Sequence, residues 1–252
     1  MPSITARDGT RIHYVLAGPE DGVPTLLVHG FASDYTLNWV GSRWQEAMTR
    51  AGRLVVGPDL RGHGASDKPH SSQAYDQHTM ARDLIDLLDH LEIREADYVG
   101  YSMGARLGVH LMLRHGDRLG GVVLGGLGFM GGFGHAEEIA RRLRGESVDD
   151  PVAETFRRFA EARPVNDLEA LADCILGPQH PVSPAGLGRI RHPVLLVTGD
   201  RDELAADSRE VAAAIPGARY LELPGRDHTT AVTSREFKHA AIAFLEESQT
   251  AR

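Results

Sequence analysis

The chain has 252 residues, with 27 Lys and Arg against 35 Asp and Glu, a formal net charge of −8 and one cysteine. The length suits a single domain over 1–252. The negative balance, without a Lys/Arg-rich run, argues against a nucleic-acid partner. Cys174 alone excludes a disulfide framework and a Cys-rich zinc site and points to a reducing, cytoplasmic compartment. The N-terminus carries an early acid, Asp8, and no apolar stretch, so no secretory signal is expected. The longest apolar runs, such as Val194 to Val197, are far short of the roughly 18 residues a membrane span needs.

In chain order, Ser3 to Ala6 and Arg11 to Val15 flank Asp8-Gly9, a hairpin signal that predicts an opening antiparallel pair. Short Val- and Leu-rich runs follow: Thr25 to Val28, Leu54 to Val56, Tyr98 to Gly100, Val122 to Leu124, Val194 to Val197 and Tyr220 to Leu223. They read as buried strands of a mostly parallel sheet. Between them lie helices. Over Thr79 to Glu92, Met80, Leu84, Leu87, Leu88 and Leu91 recur at helical spacing, with Asp83, Asp86 and Asp89 expected outward. Further helices are predicted over Met103 to about Arg114, Ser208 to Ile215 and about Ser234 to Glu246, the last capped by Ser234.

One connection is too long for an ordinary loop. It begins with the glycine-rich stretch from Gly125 to Gly134, which suggests a hinge at a mobile entrance, and continues through helix-like segments Ala136 to Arg144, Pro151 to Ala162 and Leu168 to Ile175. We read 126–188 as a helical insertion over one edge of the sheet, with the core in 1–125 and 189–252. Arg141, Arg142 and Arg144 read as a solvated helix face.

The sharpest chemical signal is Gly100-Tyr101-Ser102-Met103-Gly104, a Gly-x-Ser-x-Gly match at a predicted strand-to-helix transition. That is where a nucleophile elbow belongs. A serine hydroxyl needs an adjacent base, and the base an orienting acid. Downstream, Gly199-Asp200-Arg201-Asp202 and Gly225-Arg226-Asp227-His228 each follow a predicted strand, which puts two candidate acids and one histidine at the carboxyl edge of the sheet. His29-Gly30-Phe31-Ala32 follows the third strand, so the N–H groups of Phe31 and Met103 are candidate oxyanion donors.

Four motifs in this order, His29-Gly30-Phe31, Asp59 to Asp67, Gly100 to Gly104 and Gly225 to His228, make the chain resemble the α/β-hydrolase-fold superfamily, serine type, over residues 3–247. The resemblance implies an eight-stranded, mostly parallel sheet with helices on both faces and a short helical cap. It implies a catalytic Ser102, Asp202 and His228, the acid mapping to Asp202 with Asp200 as competitor. Dehalogenases and epoxide hydrolases of this fold carry an aspartate at the elbow and a proline after His-Gly-Phe; here stand Ser102 and Ala32. The implied activity is hydrolysis of a small ester through an acyl-enzyme. C–C bond hydrolysis and enol-lactone hydrolysis are alternatives, and a non-catalytic ligand receptor is the alternative of another class. No cofactor is implied. The expected partner is a small-molecule substrate, with neither nucleic acid nor membrane, in a monomer or homodimer.

The remaining residues have plainer readings. His29 is expected to hold structure by hydrogen bonding, and Asp59 and Arg61 to hold a tight loop. His63, His110, His115, His135 and His180 show no metal-ligand spacing and are expected mostly at the surface or in loops, so no metal is expected. Phe129, Met130 and Phe133 either line an acyl pocket or anchor the cap to the core.

Overall fold

A computed structural model describes residues 2–128 and 134–250. Its eight strands are β1 (Ser3–Thr5), β2 (Arg11–Ala17), β3 (Val23–Val28), β4 (Arg53–Pro58), β5 (Ala96–Tyr101), β6 (Leu119–Gly125), β7 (Val194–Gly199) and β8 (Arg219–Leu223). They form one sheet in the order β1-β2-β4-β3-β5-β6-β7-β8. The hairpin at Asp8-Gly9 pairs Ile4 with Ile12 antiparallel, β2 runs antiparallel to β4, and every later pair is parallel. The expected mostly parallel, eight-stranded sheet is borne out.

Helices cover both faces. They are α1 (Trp44–Arg50), α2 (Gln77–His90), α3 (Met103–Arg114), α4 (Ala136–Leu143), α5 (Pro151–Glu161), α6 (Leu168–Ile175), α7 (Pro184–Leu187), α8 (Ser208–Ala214) and α9 (Arg235–Thr250). Period-2 alternation along the strands divides the core. Leu26, Tyr98, Val122 and Leu196 pack with α2 and α3, while Leu27, Val99, Val123 and Leu195 pack on the other face with α1 and α9. A buried ion pair crosses the sheet: Arg53 donates to Asp97 at 2.7 Å and to the Thr25 hydroxyl, and Asp97 also accepts from the Gly121 N–H at 2.7 Å.

Element boundaries moved in places. Asp76 starts α2 earlier than its apolar spacing suggests, because its carboxylate accepts from the His78 and Thr79 N–H groups. Helices α1 and α7, and a π-helical turn over Thr36–Val40, were not expected. Asp83 corrects an expectation: it does not face outward but is buried, accepting both arms of the Arg61 guanidinium at 2.7 and 2.8 Å. His110, on α3, proves buried rather than superficial, and His63, in a loop as expected, is buried as well. Arg142 and Arg144 do not form a merely solvated face; they pair with Glu154 on α5 and with Glu169 and Asp173 on α6, so they tie the inserted helices together.

Candidate active site

Strand β5 is buried along its whole length and turns sharply into α3 at Ser102. Ser102 has φ 53° and ψ −111°, a region that costs a non-glycine residue roughly 1–3 kcal/mol and persists only where its surroundings impose it. They do so here. The Ser102 N–H donates to the Gly125 carbonyl at 2.8 Å, and the strand, helix and β3 backbones approach so closely that a Cβ on Gly104 would lie 2.1 Å from the Val28 oxygen. One on Gly100 would lie 2.5 Å from the Gly104 oxygen.

The loops after β7 and β8 bring two further side chains to this turn. Nε2 of His228 lies 2.9 Å from the Ser102 Oγ, and its Nδ1 lies 2.9 Å from both carboxylate oxygens of Asp202. A carboxylate only accepts, so Nδ1 carries the proton and Nε2 is left to accept from the serine hydroxyl. The Asp202 side chain is fully buried, whereas Asp200 is exposed and its N–H donates to the Leu223 carbonyl. The Tyr101 hydroxyl donates to the His228 carbonyl at 2.6 Å, and Asp227 pins the same loop. One oxygen of Asp227 accepts from the N–H and hydroxyl groups of both Thr229 and Thr230, which pulls its pKa down to about 2.

Phe31 and Met103 flank the serine. A Cβ on Gly30 would lie 3.3 Å from that of Ser102, so the Gly30 backbone passes close to the serine. The Met103 N–H is the first of α3, among the donors that helix geometry leaves without an intrahelical acceptor. His29 and His63 set this loop. Nε2 of His29 accepts from the Leu60 N–H at 3.0 Å and its Nδ1–H donates to the Gly30 carbonyl; burial lowers its pKa. Nε2 of His63 accepts from the Ala32 N–H at 3.1 Å, and burial pushes its pKa down to about 3. Both rings are therefore neutral and structural. The Asp59 carboxylate accepts from the Tyr35 and Ala65 N–H groups and from His13.

Ser102, Met103, Phe31 and His228 open on a cavity of about 90 Å³, walled on the other side by Phe156 of α5 and by Cys174 and Ile175 of α6. Cys174 is buried there, and burial pushes its thiol pKa up to about 12. The Phe31 and Phe156 rings meet at 5.8 Å, tilted by 58°, and Asn166, just past α5, donates to the Ala32 carbonyl. The expected pocket residues Phe129, Met130 and Phe133 lie outside the described residues. Arg106 and Phe156, which border the cavity, are absent from the sequence-based expectations. For Arg106 the signal was its spacing of four from Ser102, one turn along α3. For Phe156 no local signal existed, since its contact with Phe31 spans the fold. The Arg106 guanidinium donates to the Gly128 carbonyl at 3.2 Å, and desolvation lowers its pKa. Among the described residues no helix is long and apolar enough to cross a membrane.

A family model described as the alpha/beta hydrolase fold matches residues 24–141. Over 117 residues the chain is 38% identical to epoxide hydrolase A of Mycobacterium tuberculosis, a match that spans 46% of this chain and only 35% of that enzyme. A hydrolase from Pseudomonas aeruginosa PA01 has a similar structure, with a TM-score of 0.81 and 26% identity over 97% of both chains. The enol-lactonase from Burkholderia xenovorans LB400 gives a TM-score of 0.79 at 26% identity, over 97% of this chain and all of that one (100%).

Proposed function

Since the chain is an α/β-hydrolase-fold protein, we propose that it is a serine hydrolase that cleaves a small carboxylic ester through an acyl-enzyme on Ser102. The observation that carries this reading is the unbroken run of contacts from Ser102 Oγ to His228 to the buried Asp202, at the floor of a cavity. In the proposed reaction His228 takes the hydroxyl proton as Ser102 Oγ attacks the ester carbonyl. Asp202 holds the ring in the required tautomer and stabilises the imidazolium. The Phe31 and Met103 N–H groups receive the negative charge of the tetrahedral intermediate, each worth about 3 kcal/mol in the transition state. The proton then passes from His228 to the departing alkoxide, so alcohol leaves. A water deprotonated by His228 attacks the acyl-enzyme, and its proton returns to Ser102 as the acid departs.

Serine rather than aspartate at the elbow favours acyl transfer over the alkyl-enzyme chemistry that an elbow aspartate would support. The cavity of about 90 Å³ supports a small substrate. The likeness to an enol-lactonase makes lactone hydrolysis the second reading. We place the α4–α7 segment over the site as its cap.

A fluorophosphonate probe tests the nucleophile. The native protein should be labelled at Ser102, and Ser102→Ala should lose both labelling and ester turnover; a Ser102→Ala protein that retains turnover sinks the reading. A p-nitrophenyl ester series run beside a lactone and a vinylogous diketone orders the substrates by kcat/KM. Preference for the lactone or the diketone replaces the ester assignment. Labelling with no turnover of any of them leaves a ligand receptor.

A further inference from the structure

His78 opens α2, His110 lies on α3, and His180 lies after α6, so no sequence spacing groups them. The fold does. The His78 and His180 rings stack at 3.6 Å with an interplanar angle of 11°, and Nε2 of His180 lies 2.7 Å from Oδ2 of Asp76. One potential ligand atom from each of Asp76, His78 and His180 lies within 4.8 Å of the others. His110 stands edge-on to His78 at 5.4 Å and is 2% exposed, and its Nε2 has no hydrogen-bond partner among the described residues. A buried imidazole nitrogen without a partner is uncommon and calls for a physical reason.

We propose that Asp76, His78 and His180, with His110 as a reserve fourth ligand, form a divalent transition-metal site of the zinc class that joins the inserted segment to the core. Two or three imidazoles and one carboxylate are a donor set for zinc and its neighbours; calcium and magnesium demand a set dominated by oxygen. The His78 ring, stacked parallel to that of His180, must turn so that both ring planes meet at the ion, whereas the Asp76 contact needs little change. Tetrahedral ligands about 2.0–2.1 Å from a metal lie about 3.3 Å apart, so replacing the proton between His180 and Asp76 by a metal opens that contact by only ~0.6 Å. His180 and Asp76 are partly exposed, which leaves an entry path.

The position connects the site to the cavity. Gln77, beside His78, donates to the side chain of Gln179 and accepts from the His180 N–H, and both glutamines border the cavity that holds Ser102. A metal here clamps that wall.

The test is equilibrium dialysis of the chelator-treated native chain against Zn2+, with Co2+ absorption as a second readout. The native chain should take up one Zn2+, show the intense visible bands of tetrahedral Co2+, and gain thermal stability with added Zn2+. His180→Gln should weaken uptake by at least about tenfold and abolish the Co2+ bands, as loss of a ligand does. His135→Gln, which alters an exposed His–Asp pair elsewhere, should change neither. His180 is partly exposed, and unfolding of His180→Gln in chelator like the native chain certifies its fold. The proposal is overturned if the native chain takes up no Zn2+ or gives only octahedral Co2+. It is equally overturned if His78→Gln/His180→Gln binds Zn2+ as the native chain does.

Discussion

The Ala32 N–H donates to Nε2 of His63, and Ala32 itself sits at φ 56° in the left-handed region. That one bond turns the residue after Phe31 and so aims the Phe31 N–H proposed to stabilise the oxyanion. Proline cannot occupy the position, because its φ is held near −65° and it has no N–H. Ala32→Pro should therefore lower the unfolding free energy by about 3 kcal/mol or more, and His63→Ala should lower kcat with a smaller change in KM. Denaturant melts and ester kinetics of the two variants check this. An Ala32→Pro protein of native stability would contradict it.

The buried Asp202 and exposed Asp200 separate cleanly by substitution. Asp202→Asn keeps the shape but favours the wrong His228 tautomer and should reduce kcat about 10⁴-fold, while Asp200→Asn should cost less than about tenfold. Steady-state kinetics on one chromogenic ester decides, and the opposite ranking would reassign the acid.

Gly104 has no room for a methyl group, since the obstacle is the Val28 backbone oxygen rather than a movable side chain. Gly104→Ala should destabilise the chain by about 3 kcal/mol and displace Ser102 from His228. A urea midpoint equal to that of the native chain would show that the elbow has more slack than these distances allow.

Asp227 makes the loop that carries His228 sensitive to acid. Its folded pKa of about 2 lies below the ordinary 3.8, so its contribution to stability is complete above pH 3.8 and is lost as pH falls toward 2. Measured as urea midpoints, the gap between native and Asp227→Asn proteins should be constant above about pH 5 and close below pH 3.8. A gap that widens with acid would have the wrong sign.

Cys174 borders the cavity as a buried thiol whose pKa of about 12 leaves almost no thiolate at neutral pH. Iodoacetamide at pH 8 should label it only after denaturation, and Cys174→Ser should leave fluorophosphonate labelling at Ser102 intact. Rapid labelling of the folded chain would show that the cavity opens widely.

The architecture was legible in the chain because its signals are local. Val- and Leu-rich runs marked the strands, which from β3 onward pair in parallel, and Gly100, Ser102 and Gly104 marked a turn that few other residues can make. The order of Ser102, an aspartate at 200 or 202 and His228 followed, since each stands just past a strand end. What the sequence could not decide were contacts between residues far apart in the chain. Asp83 obeys the outward spacing of its helix, yet Arg61, distant in sequence, turns it inward to satisfy a buried guanidinium. Periodicity reports only which face of a helix is apolar, not which charge waits on the neighbouring element. Asp202 and Asp200 are two residues apart and chemically identical, and only the path of the loop buries one beside His228. Asp76, His78, His110 and His180 show no spacing at all; three separate elements had to pack before they met, because side-chain chemistry depends on distances that the chain sets only once it is folded.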